Sequence, residues 1–144
     1  MVDTKDGLFL CVDDEQIVLH SLRDQLYKHY GKQYLIEIAE SAEEGLEILD
    51  EFSLDGYTPL IVISDWLMPG MKGDEFFIQV HRRFPHVIKV MLSGQVDPTA
   101  VQRARDEGDM FEMISKPWDA KELIRYIDRG LAQFKRTVSG KSYE

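Results

Sequence analysis

Residues 60–70 read LIVISDWLMPG, and this stretch decides the fold class. The run 60–64 carries no charge and is rich in β-branched residues, which suits a strand buried on both faces. Asp65 ends the run, and Pro69-Gly70 follows as a turn signal. A strand covered on both sides needs helices above and below it, so the neighbouring segments should alternate between the two periods.

They do. Residues 8–12, 34–39, 87–92 and 110–114 are further short apolar runs. Between them, apolar residues recur at helical spacing. Leu19, Leu22, Leu26 and Tyr30 mark a first helix. Ala42, Leu46, Leu49 and Phe52 mark a second, with Ser41 as its N-cap. Phe77, Val80 and Phe84 mark a third, ended by Pro85. Pro98 suits the first turn of a fourth, capped by Asp97 and running to about residue 107. Its apolar face is only Ala100, Val101 and Ala104, the pattern of a marginal, movable helix. Leu123, Ile127, Leu131 and Phe134 close the chain as an amphipathic helix. Five βα units predict an α/β fold: a doubly wound, five-stranded parallel sheet with helices on both faces. One domain over residues 1–137 is expected, with 138–144 a polar tail or the start of a linker.

Composition narrows the function. The chain has 144 residues, 44% of them hydrophobic and 30% charged, enough for one self-sufficient core. Its net charge of −9 argues against direct nucleic-acid binding, which needs clustered Lys and Arg. No apolar run approaches membrane-spanning length, and the polar first seven residues do not form a signal peptide. Cys11 is the single cysteine and reads as a small buried hydrophobe. A cytoplasmic protein is expected.

In open α/β sheets, ligands bind beyond the carboxyl ends of the strands. The residues directly after each run therefore carry the information. These are Asp13, Asp14 and Glu15 after the first, Asp65 after the third, Ser93 and Gly94 after the fourth, and Lys116 and Pro117 after the fifth. Three carboxylates close together repel one another unless a cation and an ammonium offset them. Oxygen ligands with neither His nor Cys select a hard ion, Mg²⁺ rather than Zn²⁺. A carboxylate beside Mg²⁺, facing a Lys, is equipped to attack a phosphoryl donor.

VDDE at 12–15, SDWLMPGMKGDE at 64–75, LSG at 92–94 and SKPW at 115–118 resemble the receiver domain of two-component response regulators. The likeness runs from residue 8 to about 134. It implies the flavodoxin-like (βα)5 fold and a set of roles. Asp65 is the implied phosphoacceptor. Asp13, Asp14, Asp65 and the carbonyl of Leu67 are the implied Mg²⁺ ligands, with Asp13 acting largely through water. Ser93 is the implied switch hydroxyl and Lys116 the implied phosphoryl-binding ammonium. Leu67 and Gln95 border the path of attacking water, where Gln95 either orients or obstructs it. A cis peptide is implied between Lys116 and Pro117. The implied donor is a sensor histidine kinase or a phosphotransfer protein. The implied output is a switched surface of the fourth helix, fifth strand and fifth helix, acting on a partner or an attached output domain; a homodimer is left open. Such a domain catalyses only its own phosphorylation and dephosphorylation. One position departs from the pattern: Met113 stands where the family usually has Tyr or Phe.

Each feature also has a plainer reading. Asp13 and Asp14 are good helix caps, Ser93-Gly94 marks an ordinary turn, and Lys116 is a solvated Lys before a Pro. Trp66 and Trp118 are expected at the rim of the site, and Phe111 is expected on the same strand face as Met113. The four histidines are scattered and form no metal set. Two rival functions remain. A receiver-like docking or dimerising module would lack phosphorylation, yet no acid or Lys is missing. An aspartyl-nucleophile phosphohydrolase needs a second acid two residues after the nucleophile, and Leu67 stands there.

Overall fold

The alternation of apolar runs and amphipathic segments builds five strands and five helices. The computed structural model describes residues 6–95 and 97–141. In order they are β1 (Gly7–Val12), α1 (Gln16–Tyr30), β2 (Leu35–Ala39), α2 (Ala42–Leu54), β3 (Thr58–Ser64), α3 (Gly73–Arg83), β4 (Ile88–Ser93), α4 (Pro98–Asp106), β5 (Glu112–Ser115) and α5 (Ala120–Lys141). All strand pairs are parallel, in the order β2-β1-β3-β4-β5. This is the expected doubly wound sheet.

Alternating side chains of the central strands feed two cores. Phe9, Cys11, Ile61, Ile63, Val90 and Leu92 face α1 and α5, where they meet Leu19, Leu22, Leu26, Leu123, Ile127 and Phe134. Leu8, Leu10, Val12, Val62 and Met91 face α2, α3 and α4. Each large apolar side chain fully buried this way contributes roughly 1.5–3 kcal/mol. Close approach also matters. A Cβ at Gly130 of α5 would lie 2.7 Å from Ile88, and one at Gly45 of α2 would lie 3.1 Å from Phe76 and Val12. The seat of α5 therefore has no room for a side chain at Gly130 unless Ile88 shifts, and the seat of α2 at Gly45 is tight.

The predicted caps form. The Ser41 hydroxyl accepts from the Glu44 N–H at 3.1 Å, and the Asp97 carboxylate accepts from the Thr99 N–H at 3.2 Å. Three local expectations are corrected. Phe111 and Met113 pack on opposite faces, Phe111 with the α1/α5 core and Met113 with the α2/α3/α4 core. The chain is irregular before β5: Asp109 has a φ of 52°, and the ladder starts only at Glu112, so strand alternation does not reach back to Phe111. α5 continues to Lys141, with Val138 still against the core, past residue 137, where a polar tail or linker was expected to begin. The polar residues there belong to a helix's outer face; residues 142–144 lie outside the described ones. Phe77 is core as expected, but Phe84 caps α3 and is only partly buried.

One residue breaks the apolar pattern of the sheet interior. Lys89 of β4 is fully buried, and its Nζ donates to the Val87 carbonyl at 2.9 Å.

Candidate functional site

Parallel register brings the carboxyl ends of the strands to one level. Val12 pairs with Ser64, Ser64 with Met91, and Ser93 with Ser115. Backbone bonds carry the ladder one residue further: Asp13 N–H to Ala39 O at 3.1 Å, Asp65 N–H to Val12 O at 3.0 Å, and Lys116 N–H to Ser93 O at 3.1 Å. The first residues beyond β1, β3 and β5 are thus held as firmly as the strands. Their side chains meet above the sheet.

There the Lys116 Nζ lies 2.8 Å from Asp13 Oδ2, 3.3 Å from Asp65 Oδ2 and 4.0 Å from Glu15 Oε1. Asp13 and Asp65 are buried, whereas Asp14 is exposed. One carboxylate oxygen from each of Asp13, Asp14 and Asp65 lies within 4.8 Å of the others. Burial pushes the Asp13 carboxyl above its ordinary range, against the opposing pull of Lys116. Burial also pulls Lys116 down, but its hydrogen bond to Asp13 and the charges of Asp13 and Asp65 outweigh that, so its pKa ends above the usual value. The ammonium is locked in its charged form. The Lys116–Pro117 peptide is cis.

In front of these groups opens a cleft of about 620 Å³. Asp14, Asp65, Leu67, Ser93, Gln95 and Lys116 all line it. The strand ends thus collect every sequence-predicted site residue except Met113, which lies in the core; Asp13 does not line the cleft but joins the cluster through Lys116. Asp13 does not cap α1 in the ordinary way: Glu15 holds that position, and Asp13 Oδ1 accepts its N–H at 2.9 Å. The Ser93 hydroxyl donates to the Gln95 carbonyl at 2.9 Å. The donor set is carboxylate oxygen alone, which fits a hard divalent ion such as Mg²⁺.

The two tryptophans do not share the rim. Trp118 turns away, and its Nε1 donates to Gln25 Oε1 of α1 at 2.7 Å. Trp66 stays attached through its backbone N–H, which donates to Asp65 Oδ1 at 2.7 Å. Its indole N–H goes to Asp74 Oδ1 at 3.2 Å, with the Lys72 ammonium 5.5 Å from its ring. Asp74 is the residue near the site whose part the motifs did not show, whereas Glu15 was among the residues expected after the first strand. Glu15 was visible as the fourth letter of VDDE; Asp74 lay inside the quoted 64–75 stretch, but nothing in its spacing revealed the indole.

The family model described as response regulator receiver domain matches residues 9–128. This chain belongs to the response regulator receiver family. Receiver domains of response regulators are signalling domains. Among curated relatives of this receiver, the hydrogenase transcriptional regulatory protein HoxA of Cupriavidus necator is 27% identical over 120 residues. That alignment covers 83% of this chain and 23% of HoxA. The DNA-binding transcriptional regulator NtrC of Klebsiella pneumoniae is 32% identical over 92 residues, 64% of this chain and 19% of NtrC. The receiver thus spans about a quarter or less of the length of these relatives. Among solved structures, the signal receiver domain of an HD domain-containing protein from Pseudomonas fluorescens Pf-5 superposes with a TM-score of 0.83. It covers 96% of both chains at 24% identity, which shows a shared fold. No helix of the described residues is long and apolar enough to cross a membrane.

Proposed function

We propose that this receiver accepts a phosphoryl group on Asp65 from a phosphohistidine of a sensor kinase or phosphotransfer protein. The observation that carries the reading is the Lys116 ammonium, held between Asp13 and Asp65 at the mouth of the cleft. An Asp65 oxygen bonds the phosphorus, the phosphorus–nitrogen bond breaks, and its electron pair leaves on the donor imidazole. Asp13, Asp14, Asp65 and the Leu67 carbonyl would hold Mg²⁺. When bound, that ion supplies positive charge to the phosphoryl oxygens.

The residues of the chain do the rest. Lys116 moves its hydrogen bonds from carboxylate to phosphoryl oxygen and needs no change of protonation. Ser93 exchanges the Gln95 carbonyl for a phosphoryl oxygen, which draws the start of the β4–α4 connection toward Asp65. Leu67 is 44% exposed at the cleft and, with Gln95, borders the approach of hydrolytic water. The domain serves no turnover beyond its own phosphorylation and dephosphorylation. Phosphorylation biases an existing two-state equilibrium at the α4–β5–α5 surface, read by a partner protein or an attached output domain. The acidic domain works in the cytoplasm and contacts no nucleic acid itself.

The test is incubation with Mg²⁺ and acetyl phosphate, followed by intact mass. One added phosphoryl group is expected on the wild type and none on Asp65→Asn. An unchanged mass with both acetyl phosphate and a phosphorylated kinase would overturn the reading.

A further inference from the structure

Helix α4 is the most lightly seated of the five. It has nine residues and buries only Ala100 and Ala104 fully. Each alanine methyl contributes on the order of 0.8 kcal/mol, far less than the leucines that seat α1. Val101 adds a partly buried contact to the same core, and polar bonds to α3 supply a further hold. Arg103 reaches across to the first turn of α3, with one guanidinium nitrogen 3.1 Å from Asp74 Oδ2 and another 2.8 Å from Glu75 Oε1. Its Nε lies 3.4 Å from Glu107 of its own helix.

Asp74 does not end the network. Its other oxygen accepts the Trp66 indole N–H, and the Trp66 backbone N–H donates to Asp65 Oδ1. Three consecutive links therefore join the proposed phosphoacceptor to α4: Asp65 to Trp66, Trp66 to Asp74, and Asp74 to Arg103. Gly73 keeps the connection short. A Cβ there would fall 2.4 Å from the Asp65 carbonyl oxygen, and the Gly73 N–H donates to Trp66 O at 2.8 Å. The thioether of Met113 packs among apolar side chains and offers no strong hydrogen bond for a comparable link.

We propose that Trp66 and Asp74 report the chemical state of Asp65 to helix α4 through Arg103. This rests on Asp65 being the phosphoacceptor. Phosphorylation of Asp65 turns the charged carboxylate into an acyl phosphate, which leaves an ester-like carbonyl at the oxygen facing Trp66. Hydrogen bonds to ionised acceptors are about twice as strong as neutral ones. The Trp66 N–H bond therefore loses about half its strength, and the indole shifts with it. Asp74 is then no longer fixed from behind, Arg103 keeps only part of its grip on α3, and α4 loosens. Trp66, Asp74 and Arg103 are positioning residues, outside the phosphoryl-transfer chemistry.

The experiment pairs intact mass with amide hydrogen exchange over 98–106, with and without acetyl phosphate and Mg²⁺. On the wild type, phosphorylation is expected to speed α4 exchange about tenfold. Arg103→Gln should exchange at the phosphorylated rate even when unmodified. Trp66→Phe keeps a ring in place but removes the indole N–H. It should gain the same phosphoryl mass while its α4 exchange changes less than about twofold. Arg105→Gln, on the exposed side of the same helix, should respond like the wild type. A Trp66→Phe protein that takes the phosphoryl group and still shows the full α4 response overturns the proposal alone. A wild type that gains no mass overturns the phosphoacceptor reading, and this proposal falls with it.

Discussion

Two lysines on neighbouring strands meet opposite surroundings. Lys116, just beyond β5, faces Asp13 and Asp65, and their hydrogen bonds and charges keep its proton bound more tightly than usual. Lys89, inside β4, has a carbonyl as its bonded partner; burial pulls its pKa down to about 8, with the more distant Asp109 charge opposing. The strand end gathers three carboxylates and one ammonium that compensate one another. The sheet interior holds one ammonium that little compensates. What makes a buried charge tolerable is its partners, and the residue type alone does not reveal them.

The comparison breaks most readily at Lys116. Lys116→Met should slow phosphoryl transfer from acetyl phosphate by about 100- to 1,000-fold, the usual cost of one transition-state donor. A rate within a few-fold of wild type would mean the ammonium is only structural.

A smaller effect of opposite sign is expected at Lys89. Below about pH 8, folded and unfolded chains both hold this proton, and the fold bears the full cost of burying it. Between about 8 and the ordinary 10.5, only the unfolded chain holds it, so this residue's contribution to stability rises with pH across that window. Above the window the cost is gone. Lys89→Met should therefore stabilise the domain by about 1–3 kcal/mol at pH 7, with the gain shrinking toward pH 10. Urea unfolding of both proteins at several pH values checks it; a gain independent of pH would assign the effect to packing.

The smallest effect sharpens the contrast with solvent-exposed charge. Arg83 and Asp50 pair at 2.7 Å, but their side chains are 42% and 49% exposed. Arg83→Gln should change stability by less than about 1 kcal/mol, and less still at high salt.

The two lysines also mark how far sequence reading reaches. Lys116 was legible because it follows an apolar run, and in a parallel sheet every residue at that place reaches the same rim. The same rule found Asp13, Asp14, Asp65 and Ser93. Lys89 was not legible, since a Lys within an apolar run looks the same whether it is buried or reaches past a strand edge. Phe111 failed for a related reason: side-chain alternation holds only inside the ladder, and the ladder begins at Glu112. Trp118 and Arg103 found partners on other helices, Gln25 and the α3 acids. Such pairings depend on how helices sit against one another, which periodicity does not specify. The length of α5 was hidden because its last residues are polar on the outer face that a helix leaves to solvent.

The burial of Cys11 has a practical consequence. The chain has one cysteine, fully enclosed in the α1/α5 core, with its thiol pushed up to about 12 by that enclosure. At neutral pH it is neither ionised nor reachable, so alkylating dyes should pass it by in the native protein. A single cysteine introduced on the surface of α4 would carry a fluorophore alone, with the natural one left in place as silent background.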